Sequence, residues 1–358
     1  MFSKVGFIGL GLIGGSIAKA IKHFYPQTKI CAIDKVVVQT DVVDNWHSDI
    51  DKEFCESDVI FLCAPVKINA QYLEKIKPFI NSDTILTDVG STKLDIHKAV
   101  EKADLCDNFI GGHPMAGSEK SGFDNSKRIL IENVYYILTP TNTVDAQKVD
   151  KFKEFVTSLK ALPVVMTPQH HDKVTAVVSH VPHLIASSLV NLVKDLDDSQ
   201  HTMKQIAAGG FKDITRIASS SPTMWQQICM TNSQPILDAM QCYIQSLEKI
   251  CDDIKKEQSE SVEDMFSNSR EYRNSIVDIA AGPIKKSFAF YCDMVDEAGG
   301  IATLATILAS NNINIKNIGI VNNREFEEAV LKVELDDQDS YDRAVPLLRK
   351  YRYTVYER

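Results

Sequence analysis

The stretch FIGLGLIGGSIAKAI sets Gly9, Gly11 and Gly14 between a short apolar run, KVGFI, and a segment with helical spacing of its apolar residues. A strand that turns on glycine directly into a helix constrains the rest of the chain, because such a unit belongs in a parallel sheet. Gly9 permits the turn, Gly11 leaves the backbone open to a phosphate, and Gly14 lets helix and strand pack closely. Unbonded N–H groups at the helix start then face an anion. The pattern is that of a dinucleotide site. Asp34 ends the next apolar run, KICAID, twenty residues past Gly14. A carboxylate there accepts both ribose hydroxyls and repels a 2′-phosphate, which favours NAD over NADP, although Lys35 beside it blurs the choice. A structural glycine turn without ligand and an FAD site are the other readings of the same fingerprint. A doubly wound unit of only ~150 residues suits a dehydrogenase better.

The same rhythm continues beyond Asp34. DVIFLCAP, TILTDVGS, NVYYILTP and LPVVMTP read as buried strands, and YLEKIKPFI and KVDKFKEFVTSLK as amphipathic helices between them. Residues 1–167 are therefore expected to form an α/β, doubly wound Rossmann domain with helices on both faces of a parallel sheet. From Pro168 the strand signal stops. DKVTAVVSHVPHLIASSLVNLV and SQPILDAMQCYIQSLEKICDDIKKE predict an all-α domain over 168–282, with apolar residues on more than one face and so surface to bury against a second subunit. The charged EQSESVEDMFSNSREYRNS reads as a solvated helix ending that bundle. AAGPIKK is a linker. Residues 286–358 then run β-α-β-β-α-β, with Asn322-Asn323 as a hairpin turn, which predicts a small ferredoxin-like module.

Charge and cysteines narrow the class. The net charge of -9 argues against a nucleic-acid partner bound through a broad basic face. The eight cysteines show no CxxC pair, and several sit in apolar runs, which predicts free thiols in a reducing, cytoplasmic setting and neither disulfides nor a metal site. The first twenty residues mimic a secretory signal, yet their glycines fall where a dinucleotide turn needs them. No apolar run elsewhere approaches the ~20 residues that cross a bilayer, so no membrane partner is expected.

Chemistry is expected where strands end, because ligands of doubly wound sheets gather beyond the carboxyl ends. ILTDVGSTK puts Ser91 and Thr92 just past one strand, and GGHPMAGSEKSGF puts His113 past another. A neutral imidazole can take the proton of an alcohol while hydride leaves the same carbon, and a serine can orient it. A buried histidine satisfied by backbone is the bland alternative. In SHVPHL, His180 and His183 share a helical face if Pro182 is tolerated; substrate contact, core packing and a metal are the readings, the last without a carboxylate at helical spacing. FKDITRIASSSPTMW offers Asp213 and Arg216, either a local surface pair or a guanidinium aimed at a carboxylate.

Taken in order, GLGLIGGS, DVGSTK, GGHPMAGSEKSG, SHVPH and FKDITRIA resemble the prephenate dehydrogenase family of tyrosine biosynthesis, and DEAGGIATLATILASNNINIKNI resembles an ACT module. The resemblance implies NAD-dependent oxidative decarboxylation of prephenate in a homodimer, with tyrosine as effector. It implies His113 and Ser91 as the catalytic pair, and Arg216, His183, Glu119, Ser118 and Thr92 around the substrate. Cofactor contacts are expected from Gly9, Gly11, Leu12, Ile13, Gly14 and Asp34, and from Ala64 and Pro65, which end DVIFLCAP. Regulatory contacts are expected from Asp296, Gly299, Gly300, Asn314 and Ile315. An arogenate dehydrogenase uses the same chemistry, and a catalytically silent NAD and amino-acid sensor is the alternative from another class.

Overall fold

The structure, a computed structural model, describes residues 2–117, 120–280, 288–294, 299–321 and 329–357. It divides into two units, Met1–Asp252 and Asp253–Arg358. Ser118, Glu119, Asp296, the Asn322-Asn323 turn and most of the expected linker lie outside the described residues.

The first unit begins β1 (Lys4–Ile8), α1 (Leu12–Phe24), β2 (Lys29–Ile33), a two-residue β3 (Asn45–Trp46), a single turn α2 (Lys52–Cys55), β4 (Val59–Leu62), α3 (Val66–Ile76), β5 (Ile85–Asp88) and α4 (Leu94–Lys102). The strands pair in parallel in the order β3-β2-β1-β4-β5. Apolar residues fill both faces, as a sheet covered on both sides requires. On one face Phe7 stacks on Phe61 and Ile17 and Ile21 of α1 press down; on the other Ile8, Ile60 and Leu62 pack with Leu73 and Ile96. The order reverses between β1 and β4, and the crevice beyond their carboxyl ends is where such sheets bind ligands.

The sheet is not parallel throughout. β6 (Ile110–Pro114), β7 (Tyr135–Pro140) and β8 (Leu162–Val165, after α5, Ala146–Ser158) form a separate three-stranded sheet, joined to β5 by the parallel bridge Leu86–Phe109. β6 and β7 are antiparallel, contrary to the all-parallel expectation. The described connection between them holds two 3₁₀ turns and no crossover helix, and a parallel return needs a crossover. His113 consequently lies inside β6, paired opposite Ile137, rather than past a strand end.

That connection docks on α1. The Lys127 amide donates to Ser16 Oγ at 3.0 Å, and Lys19 Nζ donates to the Ser126 carbonyl at 2.9 Å. A methyl group on Gly15 would stand 2.7 Å from both the Phe123 ring and Ser126 Oγ. Gly15→Ala should therefore lower stability by about 1–3 kcal/mol in a thermal melt, the usual effect of overpacking; an unchanged melting point would show that the segment is not seated there.

The chain then turns helical: α6 (Pro168–Thr175), a π turn at Ala176–His180, α7 (Val181–Leu196), α8 (Thr202–Ile206), α9 (Gly209–Thr215), α10 (Pro222–Thr231) and α11 (Ser233–Lys255). Pro182 is accommodated because the π turn precedes it, loosening the ladder where its missing N–H leaves no bond to make. The result is one continuous helix, Pro168–Leu196, long and apolar enough by composition to cross a membrane, which corrects the expectation that no such run exists. Its first turns carry His171, Asp172 and His180, all buried against protein.

The second unit contains α12 (Ser259–Ala280), exposed along most of its length, and then β9 (Phe288–Met294), α13 (Gly300–Ser310), β10 (Ile315–Val321), β11 (Ala329–Leu335), α14 (Gln338–Lys350) and β12 (Val355–Glu357). The four strands form an antiparallel sheet in the order β10-β11-β9-β12 over a core of Phe290, Leu304, Leu331, Val333 and Leu348.

Candidate active site

The glycine turn has the geometry a dinucleotide needs. Gly9 has φ +89°, open to glycine at no steric cost, and a side chain there would stand 2.9 Å from the backbone between Cys63 and Ala64. The loops after β1 and β4 thus touch at the switch point, which brings Ala64 and Pro65 beside the glycines. A side chain on Gly11 would meet nothing within 4 Å, so the backbone is open to a ligand, whereas one on Gly14 would stand 2.7 Å from the Gly9 carbonyl. Gly11 caps α1 without a side-chain bond, and the first turn, with Leu12 and Ile13, holds no acid, so no side chain of that turn competes with an anion for its amides and positive dipole end. Asp34 follows β2; its carboxylate accepts from the Leu10 amide at 2.6 Å and the Val36 amide at 3.2 Å, tying the ribose-side acid to the glycine turn itself. These residues fit NAD.

On the next strands, Ser91 is half-buried in the loop after β5, and Thr92 beside it shares a hydrogen bond with Thr231 of α10 at 3.0 Å. The glycines before His113 answer to crowding. A side chain on Gly111 would stand 2.3 Å from Thr139 Oγ1 and 3.0 Å from His97 Nε2, and one on Gly112 would stand 2.5 Å from the Asp88 carbonyl. Lys93 fills that space. Fully buried, it forms an ion pair with Asp88 and donates to the Gly112 carbonyl at 2.6 Å, while Asp88 accepts from the Gly112 amide at 3.1 Å and the Gly90 amide at 2.9 Å. β6 is clamped to β5 one residue before the histidine.

His113 is 8% exposed, and its Nδ1 lies 2.8 Å from Nε2 of His171. His171 Nδ1 lies 2.7 Å from Asp172 Oδ1. Asp172 in turn accepts from the amides of Lys93 at 2.7 Å and Leu94 at 2.9 Å, the free donors at the start of α4. Asn232, from the start of α11, donates to the Asp172 carbonyl at 2.8 Å and lies 3.1 Å from His180 Nδ1. Burial, then the neighbouring His171, Lys93 and His180, hold the His113 pKa well below 6.5. Burial likewise pulls His97 and His180 down to about 4.

Those shifts carry a pH dependence. Between about 4 and the ordinary value near ~6.5, the unfolded chain binds protons that the folded imidazoles refuse, so stability rises with pH across that window and falls on acidification. Melting temperature should drop steadily from pH ~6.5 downward. A flat profile across that range would contradict the buried neutral histidines.

His183 donates from Nδ1 to the Ser179 carbonyl at 2.9 Å and stacks on Trp225, with centroids 3.8 Å apart. It helps line a small cavity with Leu184, Ser187, Ile217, Pro222 and Trp225. Its pKa is lowered by burial and then raised by the Ser179 bond, with the Arg216 charge lowering it further, so the guanidinium lies within electrostatic reach. Arg216 is exposed at the end of α9, as is Asp213. In the second unit Gly299, at φ +96°, caps α13, Gly300 is buried at that helix's start, Asn314 donates to Asp336 at 3.0 Å, and Ile315 opens β10 opposite Leu335.

The structure thus adds Asp88, Lys93, His97, His171, Asp172 and Asn232 to the residues expected from sequence. Two signals were present: Asp88 and Lys93 bracket DVGSTK, and QHHD sets adjacent histidines against a carboxylate at a helix start.

Comparison with known proteins places this arrangement. Residues 17–179 match the family described as prephenate dehydrogenase, nucleotide-binding domain, and residues 167–268 match prephenate dehydrogenase, dimerization domain. A prephenate dehydrogenase of Bacillus subtilis is 38% identical over 347 residues, covering 94% of this chain and 93% of that one. Among solved structures, Aquifex aeolicus prephenate dehydrogenase in complex with hydroxyphenyl propionate and NAD+ superposes with a TM-score of 0.72 at 30% identity, over 77% of this chain and 99% of that one. Synechocystis arogenate dehydrogenase superposes with a TM-score of 0.68 at 26% identity, over 76% and 99%. With residues 17–268 matched by the two family models and a relative aligned almost end to end, the chain belongs to the prephenate dehydrogenase family.

Proposed function

We propose that the chain catalyses the NAD-dependent oxidative decarboxylation of prephenate to 4-hydroxyphenylpyruvate. The observation that carries this reading is His113, buried on β6 beside the dinucleotide-binding sheet with burial lowering its pKa well below 6.5, in a chain of this family. A neutral imidazole is ready to accept a proton at neutral pH, which is what oxidation of an alcohol requires. Gly9, Gly11, Leu12, Ile13, Gly14, Asp34, Ala64 and Pro65 hold the cofactor. NAD+, when bound, supplies the acceptor for the hydride that leaves the ring carbon bearing the hydroxyl. His113 takes the hydroxyl proton, and Ser91 hydrogen-bonds the same oxygen and keeps the imidazole aligned. The bond to the ring carboxylate then breaks, its electron pair enters the ring, CO₂ leaves as aromaticity is restored, and the ring oxygen takes back the proton held by His113.

Arg216, beside His183, grips the pyruvyl carboxylate with Thr92 near it; Ser118 and Glu119, the other expected substrate contacts, lie outside the described residues. Arg216→Ala should raise the KM for prephenate ~10–100-fold with a smaller change in kcat, as expected when a charged hydrogen-bond partner of the substrate is lost. A KM within twofold of the parent would remove Arg216 from this role.

The parts are read as 1–167 for the dinucleotide, 168–282 for substrate and dimerisation, and 286–358 as an ACT-like regulatory module. Support for a homodimer comes from the match to a dimerization domain and from exposed apolar residues of the helices, among them Val177, Val178, Leu192, Leu196 and Leu237. Tyrosine is the effector, held at Gly299, Gly300, Asn314 and Ile315; Asp296, also expected there, lies outside the described residues. One assay tests the reading: absorbance of reduced cofactor with prephenate or arogenate, with NAD or NADP, with and without tyrosine. Turnover of prephenate with NAD, lowered by tyrosine, is expected. Turnover confined to arogenate would transfer the assignment to the amino-acid substrate, and no turnover of either would leave a sensor.

A further inference from the structure

We propose that His171, anchored by Asp172, is a positioning residue that holds His113 in its Nδ1–H form and so leaves Nε2 as the atom that takes the substrate proton. The identity of that proton rests on the dehydrogenase reading; the tautomer of His113 does not.

The donors are fixed from the anchored end inward. Both oxygens of Asp172 accept backbone amides at the start of α4, from Lys93 at 2.7 Å and Leu94 at 2.9 Å. Both oxygens are already engaged as acceptors of N–H donors, so the carboxylate is the accepting side of its contact with His171. His171 Nδ1, 2.7 Å from Oδ1, must therefore be the donor. A neutral imidazole carries one N–H, which leaves His171 Nε2 as an acceptor. His113 Nδ1 stands 2.8 Å from it and must donate in turn, so the only N–H of neutral His113 is spent on His171. Its Nε2 keeps the lone pair.

Burial locks the sequence of donors. His171 and Asp172 are both 0% exposed, so water cannot take the place of either partner. The frame around them is bonded as well: Thr175 Oγ1 donates to the His171 carbonyl at 2.9 Å and Asn232 to the Asp172 carbonyl at 2.8 Å. The opposite tautomer of His113 would leave two buried acceptor nitrogens facing each other without a proton between them, and buried polar atoms left without a partner carry the full penalty of desolvation, so it is disfavoured.

Two variants and one spectrum test this in the full-length enzyme. His171→Gln keeps an amide oxygen able to accept the His113 N–H, whereas His171→Leu offers nothing. The leucine variant should lose ~10²-fold or more in kcat, with the KM for NAD and prephenate within ~3-fold, and the glutamine variant should stay within ~10-fold of the parent. Histidine ¹⁵N resonances of the parent at neutral pH, with His113 identified by its loss in His113→Asn, should show Nδ1 protonated and Nε2 bare. Parental kcat in His171→Leu, equal losses in both variants, or an Nε2–H signal for His113 would overturn the proposal. Should His171→Leu fail to fold, the glutamine variant and the spectrum decide. Absence of prephenate turnover in the parent would end the functional reading alone, because the spectrum still reads the tautomer.

Discussion

His113→Asn should lower kcat for prephenate oxidation by ~10²–10⁴-fold while leaving the KM for NAD nearly unchanged, the profile of a lost general base. Asparagine is close in size to the imidazole near the backbone and can still donate toward His171, so the strand should hold. What it cannot do is accept a proton as hydride leaves. The burial that keeps His113 neutral also predicts the pH profile of the parent: its pKa lies well below 6.5, so kcat/KM should stay level from neutral pH into the mildly acid range and fall only below it. The variant should lose that acid limb. Equal turnover by variant and parent in a stopped-flow or steady-state assay would remove His113 from the chemistry.

Lys93→Met should be the most destabilising single change near the site. The lysine is 0% exposed and methionine fills most of its aliphatic stem, so the loss is electrostatic rather than a cavity. Removing one member of a buried pair leaves the other charge without its counter-ion, an effect of about 3–5 kcal/mol, which in a unit of this size is on the order of 10 °C in Tm. Among the described residues Asp88 would keep the amides of Gly90 and Gly112. Activity should fall with stability, because the same ammonium holds the Gly112 carbonyl one residue before His113. Adding Asp88→Asn should recover part of the stability. A melting point for Lys93→Met equal to that of the parent would show that the pair does not bear on the fold.

How much of this was legible in the sequence depends on how local each feature is. The glycine turn, Asp34 and the flanking β-α rhythm are determined within some thirty residues, and the parallel sheet comes from them. The antiparallel β6–β7 pair was not legible, because its direction depends on a long connection whose described residues contain no crossover helix. His113 stood out through its glycines, yet those glycines answer to Lys93, His97, Thr139 and Asp88 around β6. The chain from His113 to His171 to Asp172 to the start of α4 spans 58 and 79 residues of sequence, and nothing in local spacing announces it. His180 and His183 looked equivalent; the structure gives His180 to the buried network with Asn232, and His183 to the Trp225 stack near Arg216.

In the proposed reaction His113 and Arg216 serve opposite ends of one small dianion beside the nicotinamide. A crystal structure of the enzyme with NAD+ and 4-hydroxyphenylpyruvate measures this directly. The expected result is the phenol oxygen within hydrogen-bond distance of His113 Nε2 and the side-chain carboxylate on the Arg216 guanidinium. A product seated with its ring oxygen away from His113, or with its carboxylate on another cation, would contradict it.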